Sequence, residues 1–253
     1  MMIMKYKVLG AVCLHYGKDY FSAAIESIID HVDEIAVFYS ATPSHGTATR
    51  LLCPDSMDEL REIATSHGCT WIEIAGVRAE NHHRVQYENY GLQKGYNQIL
   101  VIDSDEVHIS EQVPELLAEA RKHNVKRIGV AGSQWLTPYR SFNEHVTDGF
   151  APIRVLNLNK PDGEAIVNKG FIYHMGYAIN DKLMEYKISC HGHRADFEKN
   201  RSWYQDKWLN YKTGTKYLHP ATEAYWIEAK PFDKTTLPEV LKNHKYYNLE
   251  RIS

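Results

Sequence analysis

The sequence predicts an α/β fold: a mainly parallel central sheet flanked by helices, followed by an irregular C-terminal region. Three observations carry this expectation. Short apolar runs alternate with helices of about ten residues through the first half, the pattern of βαβ units. A chain of 253 residues is long enough to bury a full core. No Pro-, Gly- or Ser-rich linker, internal repeat or low-complexity tract divides it. The expectation is one domain over 1–253, with a regular half over 1–133 and a variable half over 134–253.

Lys7–Leu14 is an apolar run rich in β-formers and reads as the first strand. Phe21, Ala24, Ile25, Ile28 and Ile29 then recur at i, i+3, i+4, i+7 and i+8, one apolar stripe on a helix. Ile35–Tyr39 is a second buried strand, ended by the loop Ser40–Gly46. Ser56 and Glu59 form a capping box for a helix that points Leu60, Ile63 and Ala64 inward and stops at Gly68. Thr70–Ile74 is a third strand, Arg84–Gly95 a helix with a weaker stripe, and Gln98–Ile102 a fourth strand. Val113, Leu116, Leu117 and Ala120 mark a further helix before a strand near Lys126–Ala131. After Trp135 the alternation decays, with strands expected only at Arg154–Leu158 and Gly170–Tyr173.

Composition narrows the class. With 29 Lys+Arg against 32 Asp+Glu there is no bulk electrostatic case for nucleic acid. The N-terminal apolar stretch Val8–Leu14 is too short for a membrane span, and no later run reaches the ~18 residues one needs. The cysteines Cys13, Cys53, Cys69 and Cys190 lack paired spacing and read as reduced thiols, which points to the cytoplasm. The 14 histidines exceed the prolines and prompt a search for metal.

The most informative stretch is Gln98-Ile-Leu-Val-Ile-Asp103-Ser104-Asp105-Glu106. A fully apolar strand runs directly into alternating carboxylates. In an extended chain residues i and i+2 share a side, so Asp103 and Asp105 are expected to converge. Ligands of open parallel sheets bind beyond the carboxyl ends of the strands. Two hard oxygen donors there suit Mg²⁺ or Mn²⁺, which keeps open positions for phosphate oxygens. A bare Asp-x-Asp is more often a solvated acidic turn; the strand and the two βαβ units before it raise the ligand reading to parity. A phosphatase-type nucleophilic aspartate is expected after a first strand, and here the pair follows the fourth.

Several pieces in order resemble the nucleotide-sugar-dependent glycosyltransferases of the GT-A (Rossmann-like) fold, especially the family-two group. They are the first strand and loop Lys7–Asp19, the phrase His31-Val-Asp-Glu-Ile-Ala-Val37, the turn Gly46-Thr47, Arg84 opening a helix, and Ile99–Glu106. The resemblance covers roughly the first 130 residues. It implies a transferase moving a sugar from a nucleotide diphosphate to an acceptor hydroxyl on a glycan, lipid or protein. The donor expected first is a UDP-sugar, with a GDP-sugar second. By the same resemblance Asp103 and Asp105 hold Mn²⁺ or Mg²⁺ and through it the diphosphate, and Asp103 or Ser104 touches the ribose. Leu14, His15 and Tyr16 line the nucleobase pocket, and Arg84 lies near the base or phosphates. Tyr39 stands where the family usually has an aspartate for the base, so stacking replaces that hydrogen bond.

In the later half, Ile172-Tyr-His174-Met-Gly-Tyr177 places His174 at a strand end, where similar enzymes carry a histidine that completes the metal site. Imidazole beside two carboxylates is a reasonable donor set for Mn²⁺. Lys182–Lys216 carries a local charge of +4 and includes Trp203 and Trp208. It reads either as a lid that neutralises a diphosphate and stacks a sugar, or as a solvated helix anchored by tryptophans. Cys190-His191-Gly-His193 lacks a fourth ligand at zinc-finger spacing, and His82 and His83 read as a surface loop. Glu106, Asp148 and Asp206 are the candidates for an acceptor base. Two rivals stand beside this reading: another metal-dependent nucleotide enzyme such as a sugar nucleotidyltransferase, and a non-catalytic carbohydrate-binding relative.

Overall fold

The structure is a computed structural model that describes residues 6–43, 49–75, 80–147, 149–190 and 202–253. Gly46, Thr47, Asp148, His191 and His193 lie outside these residues.

The first half follows the expected alternation. In order come β1 (Val8–Leu14), α1 (Lys18–Glu26), β2 (Glu34–Tyr39), α2 (Met57–Ser66), β3 (Thr70–Glu73), α3 (Glu80–Gln93) and β4 (Gln98–Ile102). After them come the three-residue β5 (Glu106–His108), α4 (Val113–Lys122) and β6 (Arg127–Val130). The capping box of α2 is complete: the Ser56 hydroxyl accepts from the Glu59 amide at 3.1 Å, and Glu59 accepts from the Ser56 amide at 3.4 Å. The helix stops short of Gly68, whose φ is +74°. α3 begins four residues before the expected start, so His82 and His83 are helical rather than in a loop. His83 is buried, its Nε2 against the Phe38 carbonyl.

The seven-stranded sheet has the order β10-β6-β9-β4-β1-β2-β3, where β9 is Ile153–Asn157 and β10 is Glu164–Val167. β1 pairs in parallel with both β2 and β4, while β9 runs antiparallel between β4 and β6. The period-2 alternation sorts β4 cleanly: Leu100 and Ile102 enter one core with α1, α2 and α4, and Ile99 and Val101 enter another with Tyr87 of α3. Burying each such side chain stabilises the fold by on the order of 1.5–3 kcal/mol.

The second half is more ordered than its sequence suggested. A five-stranded sheet runs β12-β8-β7-β11-β5, formed by β7 (Trp135–Pro138), β8 (Glu144–Val146), β11 (Ile172–His174), β12 (Lys230–Pro231) and β5 from the first half. Helix α5 (Asp181–Cys190) is capped by the Asn180 side chain, which accepts from the Leu183 amide at 2.9 Å. A π-helical stretch spans Tyr204–Leu209. The core here is aromatic, with Tyr139, Phe142, Tyr177, Trp203, Trp208 and Trp226 packed together. No helix among the described residues is long and apolar enough to cross a membrane.

Candidate functional site

The site forms where the two sheets meet, at the carboxyl end of β4. The chain leaves β4 at Asp103, makes a turn closed by the Glu106 amide on the Asp103 carbonyl at 3.0 Å, and enters β5. β5 pairs antiparallel with β11, so that His174 stands opposite Glu106. The Met175 amide then bonds the Asp105 carbonyl at 2.7 Å. This pairing brings His174 Nε2 to 3.8 Å from Asp105 Oδ2.

Because residues 103–105 turn rather than extend, the two aspartates do not share one side. Asp103 Oδ2 accepts from Arg154 Nη2 at 2.8 Å, and the Asp103 carboxylate stays 44% exposed. Arg154, on β9, is buried over the Trp135 ring and also grips Glu106 with Nε and Nη2. The expected convergence of Asp103, Asp105 and His174 on one point is not what the structure shows. Asp105 and His174 converge, whereas Asp103 belongs to Arg154. Among the described residues no group of three His, Cys, Asp or Glu side chains is placed to hold a metal ion.

Around Asp105 three side chains crowd against a glycine and leave no room for a Cβ. A Cβ on Gly176 would sit 2.6 Å from Asp105 Oδ2, 2.7 Å from His174 Nε2 and 2.5 Å from Lys187 Nζ. Lys187, on α5, donates to the Gly176 carbonyl at 3.1 Å and to Asp105 Oδ2 at 3.5 Å, and lies over the Tyr177 ring. Burial pushes the Asp105 carboxyl up, but Lys187 and His174 outweigh it and hold it below the ordinary aspartate range. Burial pushes the His174 imidazole down, against the attraction of Asp105, which favours the neutral, metal-binding form. Thr137 Oγ1 lies 3.4 Å from His174 Nδ1 and orients the ring.

The loop after β1 closes one wall. Gly17 takes a φ of +120°, and a Cβ there would collide with the Ser104 hydroxyl, so only glycine fits. Ser104 is buried and donates to the Tyr16 carbonyl at 2.9 Å. It ties the loop to the acidic turn. Leu14, expected to line the nucleobase pocket, is fully buried in the core. His15 bonds the Ser40 carbonyl through Nδ1 and the Tyr186 hydroxyl through Nε2, both at 2.7 Å. Burial pushes its imidazole down. Tyr16 packs edge-on against Tyr186 at 5.6 Å, and burial pushes its phenol well up. Tyr39 is 7% exposed, with one face stacked on Trp71 at 5.0 Å, so the expected base-stacking role gives way to core packing. Arg84 lies on α3 within electrostatic range of Tyr87, which also senses Asp103 and Arg154.

Of the base candidates, Glu106 is corrected. Glu106 is 1% exposed and gripped by Arg154; burial pushes its carboxyl up and Arg154 pulls it back. It is a structural counter-charge, not a base open to an acceptor. Asp206 is exposed on the π-helical stretch, whose neighbours Tyr204 and Trp208 bond Asp181. Nor do the tryptophans form a sugar platform. Trp203 and Trp208 are at most 1% exposed, their indoles donating to the Leu218 carbonyl and to Asp181.

Sequence reasoning did not single out Arg154 or Lys187 for these roles, and both left a signal. Arg154 is the lone charge in the strand Ile153-Arg-Val-Leu-Asn157. Lys187 falls on the buried stripe of α5 with Leu183, Met184 and Cys190. A cation on an apolar face implies a buried anion opposite it.

Among solved structures the chain is similar to glucosyl-3-phosphoglycerate synthase from Mycobacterium tuberculosis. With the complex of that enzyme with Mn²⁺, UDP and phosphoglyceric acid, identity is 15% over 49% of this chain and 43% of that one, at a TM-score of 0.37. With its Mg²⁺ and UDP complex the figures are 14%, 49%, 43% and 0.38. A mycobacterial protein matches at 16% identity over 53% of this chain and 43% of its own, at a TM-score of 0.38. The chain thus spans less than half the length of these structures. No family model matches the chain, and no curated protein matches it.

Proposed function

We propose that this protein is a metal-dependent glycosyltransferase of the GT-A type, moving a sugar from a nucleotide diphosphate donor to an acceptor hydroxyl. The observation that carries the reading is the facing pair Asp105 and His174, packed beside Gly176 at the carboxyl end of a central parallel strand. The donor set, one carboxylate and one neutral imidazole, suits Mn²⁺ or Mg²⁺ with its remaining positions left for water and phosphate oxygens. Bound there, such an ion would neutralise charge developing on the departing diphosphate.

The chain's own groups take the remaining roles. Asp103, 44% exposed and bonded by Arg154, is the carboxylate we assign to accept hydrogen bonds from a ribose. Arg84 and Lys187 bring positive charge toward the same crevice. The buried Glu106–Arg154 pair holds the acidic turn in place. A UDP-sugar is the donor tested first, with a GDP-sugar second, in line with the ordered motifs of the first half.

A thermal-shift panel of nucleoside diphosphates with and without Mn²⁺ tests the class, since a ligand that binds only the folded state raises its melting point. UDP or GDP is expected to stabilise the protein only with Mn²⁺, and Asp105→Ala to abolish the shift while leaving the fold intact. Absence of any Mn²⁺-dependent shift across the panel would sink the assignment. Stabilisation instead by a nucleoside triphosphate with a sugar phosphate, and release of pyrophosphate, would favour a nucleotidyltransferase.

A further inference from the structure

Asp105, with His174 beside it, already faces a cation belonging to the protein. Lys187 Nζ is 3.5 Å from Asp105 Oδ2 and 3.1 Å from the Gly176 carbonyl, and its side chain is 9% exposed. The same vacant Cβ position of Gly176 is 2.5 Å from the ammonium, 2.6 Å from the carboxylate and 2.7 Å from the imidazole. An ion bound to Asp105 Oδ2 at about 2.1 Å lies at most about 6 Å from an unmoved Lys187 ammonium. Two positive charges at that separation in a buried pocket repel strongly. The lysine stem has four rotatable carbons, so the ammonium can leave without moving α5. It leaves an anion behind, however, and needs another to receive it.

We propose that Lys187 is a gatekeeper of the metal pocket: its ammonium competes with the divalent cation for Asp105, and a nucleotide diphosphate relieves that competition by giving the ammonium phosphate oxygens to bind. The inference rests on the reading of this pocket as a metal–diphosphate site and adds a coupling to it. Metal alone binds weakly, because it must displace an ion pair. Metal with diphosphate binds tightly, because the displaced ammonium gains a partner. By linkage the metal strengthens the diphosphate to the same degree. The device keeps the pocket charge-balanced when empty and ties metal capture to the presence of donor. Lys187 acts here as a positioning residue, through Asp105 and the diphosphate.

The test measures free Mn²⁺ by electron paramagnetic resonance during titration of the full chain, with and without saturating UDP. Wild type is expected to bind Mn²⁺ at least tenfold more tightly with UDP. Lys187→Met is expected to bind Mn²⁺ alone at least tenfold more tightly than wild type, with the UDP enhancement reduced to threefold or less. Lys187→Gln serves if the methionine variant melts early. Adding Gly176→Ala to either variant sets a methyl 2.6 Å from Asp105 Oδ2 and 2.7 Å from His174 Nε2 as they stand, and Mn²⁺ binding should vanish. If Lys187→Met binds Mn²⁺ alone no better than wild type, or retains the full enhancement, the gatekeeper is refuted. If no protein binds Mn²⁺ under any condition, it is refuted as well. If UDP binds to none of them, the glycosyltransferase reading fails by itself. The Mn²⁺ affinity of Lys187→Met without nucleotide still decides the competition.

Discussion

His108 makes a quantitative statement about acid stability. It lies on β5, 1% exposed, and neither ring nitrogen has a hydrogen-bond partner among the described residues. Burial, reinforced by the Arg154 charge, pushes its imidazole from 6.5 down to about 3. The folded-state value is depressed, so above pH 6.5 the ring is neutral in both states and costs nothing in protonation. As pH falls below 6.5 the unfolded chain takes up a proton that the folded chain refuses, and stability is lost progressively toward pH 3. At pH 5 the difference is about 2 kcal/mol, from 1.36 kcal/mol for each of the 1.5 pH units below the unfolded value. That figure hardly changes so long as the folded value stays below 4. Replacing His108 by Leu removes the titration and two unpartnered nitrogens at similar volume. Urea denaturation of both proteins at pH 7.5 and pH 5.0 isolates the effect, because the other histidines titrate alike in each. His108→Leu is expected to equal or exceed wild type at pH 7.5, and its advantage should grow by about 2 kcal/mol at pH 5.0. An advantage that does not change with pH would mean that His108 is solvated or partnered, and the argument would fall.

Other consequences follow from the same geometry. Arg154→Met should lower stability by about 3–5 kcal/mol by stranding the Glu106 carboxylate, and Arg154→Met with Glu106→Leu should recover most of that loss in urea melts. Asp105→Asn should abolish Mn²⁺-dependent UDP binding, whereas Asp103→Asn should keep Mn²⁺ binding and weaken UDP about tenfold, as calorimetry would read for one lost hydrogen bond. Ser56→Ala should cost about 1 kcal/mol at the α2 cap without altering nucleotide binding, measured by thermal melts with and without UDP and Mn²⁺.

The first half of the fold was legible because its signals are local. The strands β1, β2 and β4 are continuous apolar runs, and the cap of α2 is spelled out by Ser56 and Glu59. The second sheet was not, because its strands are two to four residues long and pair across large separations, as Tyr173 with Val107 and Lys230 with His145. Segments that short carry no periodicity to read. The tryptophans show a different limit. Trp203 and Trp208 sit among basic residues, and that neighbourhood suggested a sugar platform. The indole donors instead found partners inside the core, which makes full burial affordable for so large a side chain.

The acidic turn shows why a motif read locally overcounts its ligands. Two carboxylates in Asp103-Ser104-Asp105 repel each other, and taken by themselves they call for an added cation. The folded chain supplies two from a distance: Arg154, 51 residues on, takes Asp103, and Lys187, 82 residues on, faces Asp105. The two solutions differ in kind. Arg154 is locked by Glu106, Asp103 and the Trp135 ring, a forked arrangement that no incoming ion can replace without stranding a buried glutamate. Lys187 makes one long contact to a carboxylate and one bond to a carbonyl, close against Gly176. Exchange is therefore possible at Asp105 and not at Asp103. On the proposed glycosyltransferase reading, this asymmetry, invisible in the symmetric spelling of the motif, gives metal capture to the second aspartate and a fixed acceptor role to the first.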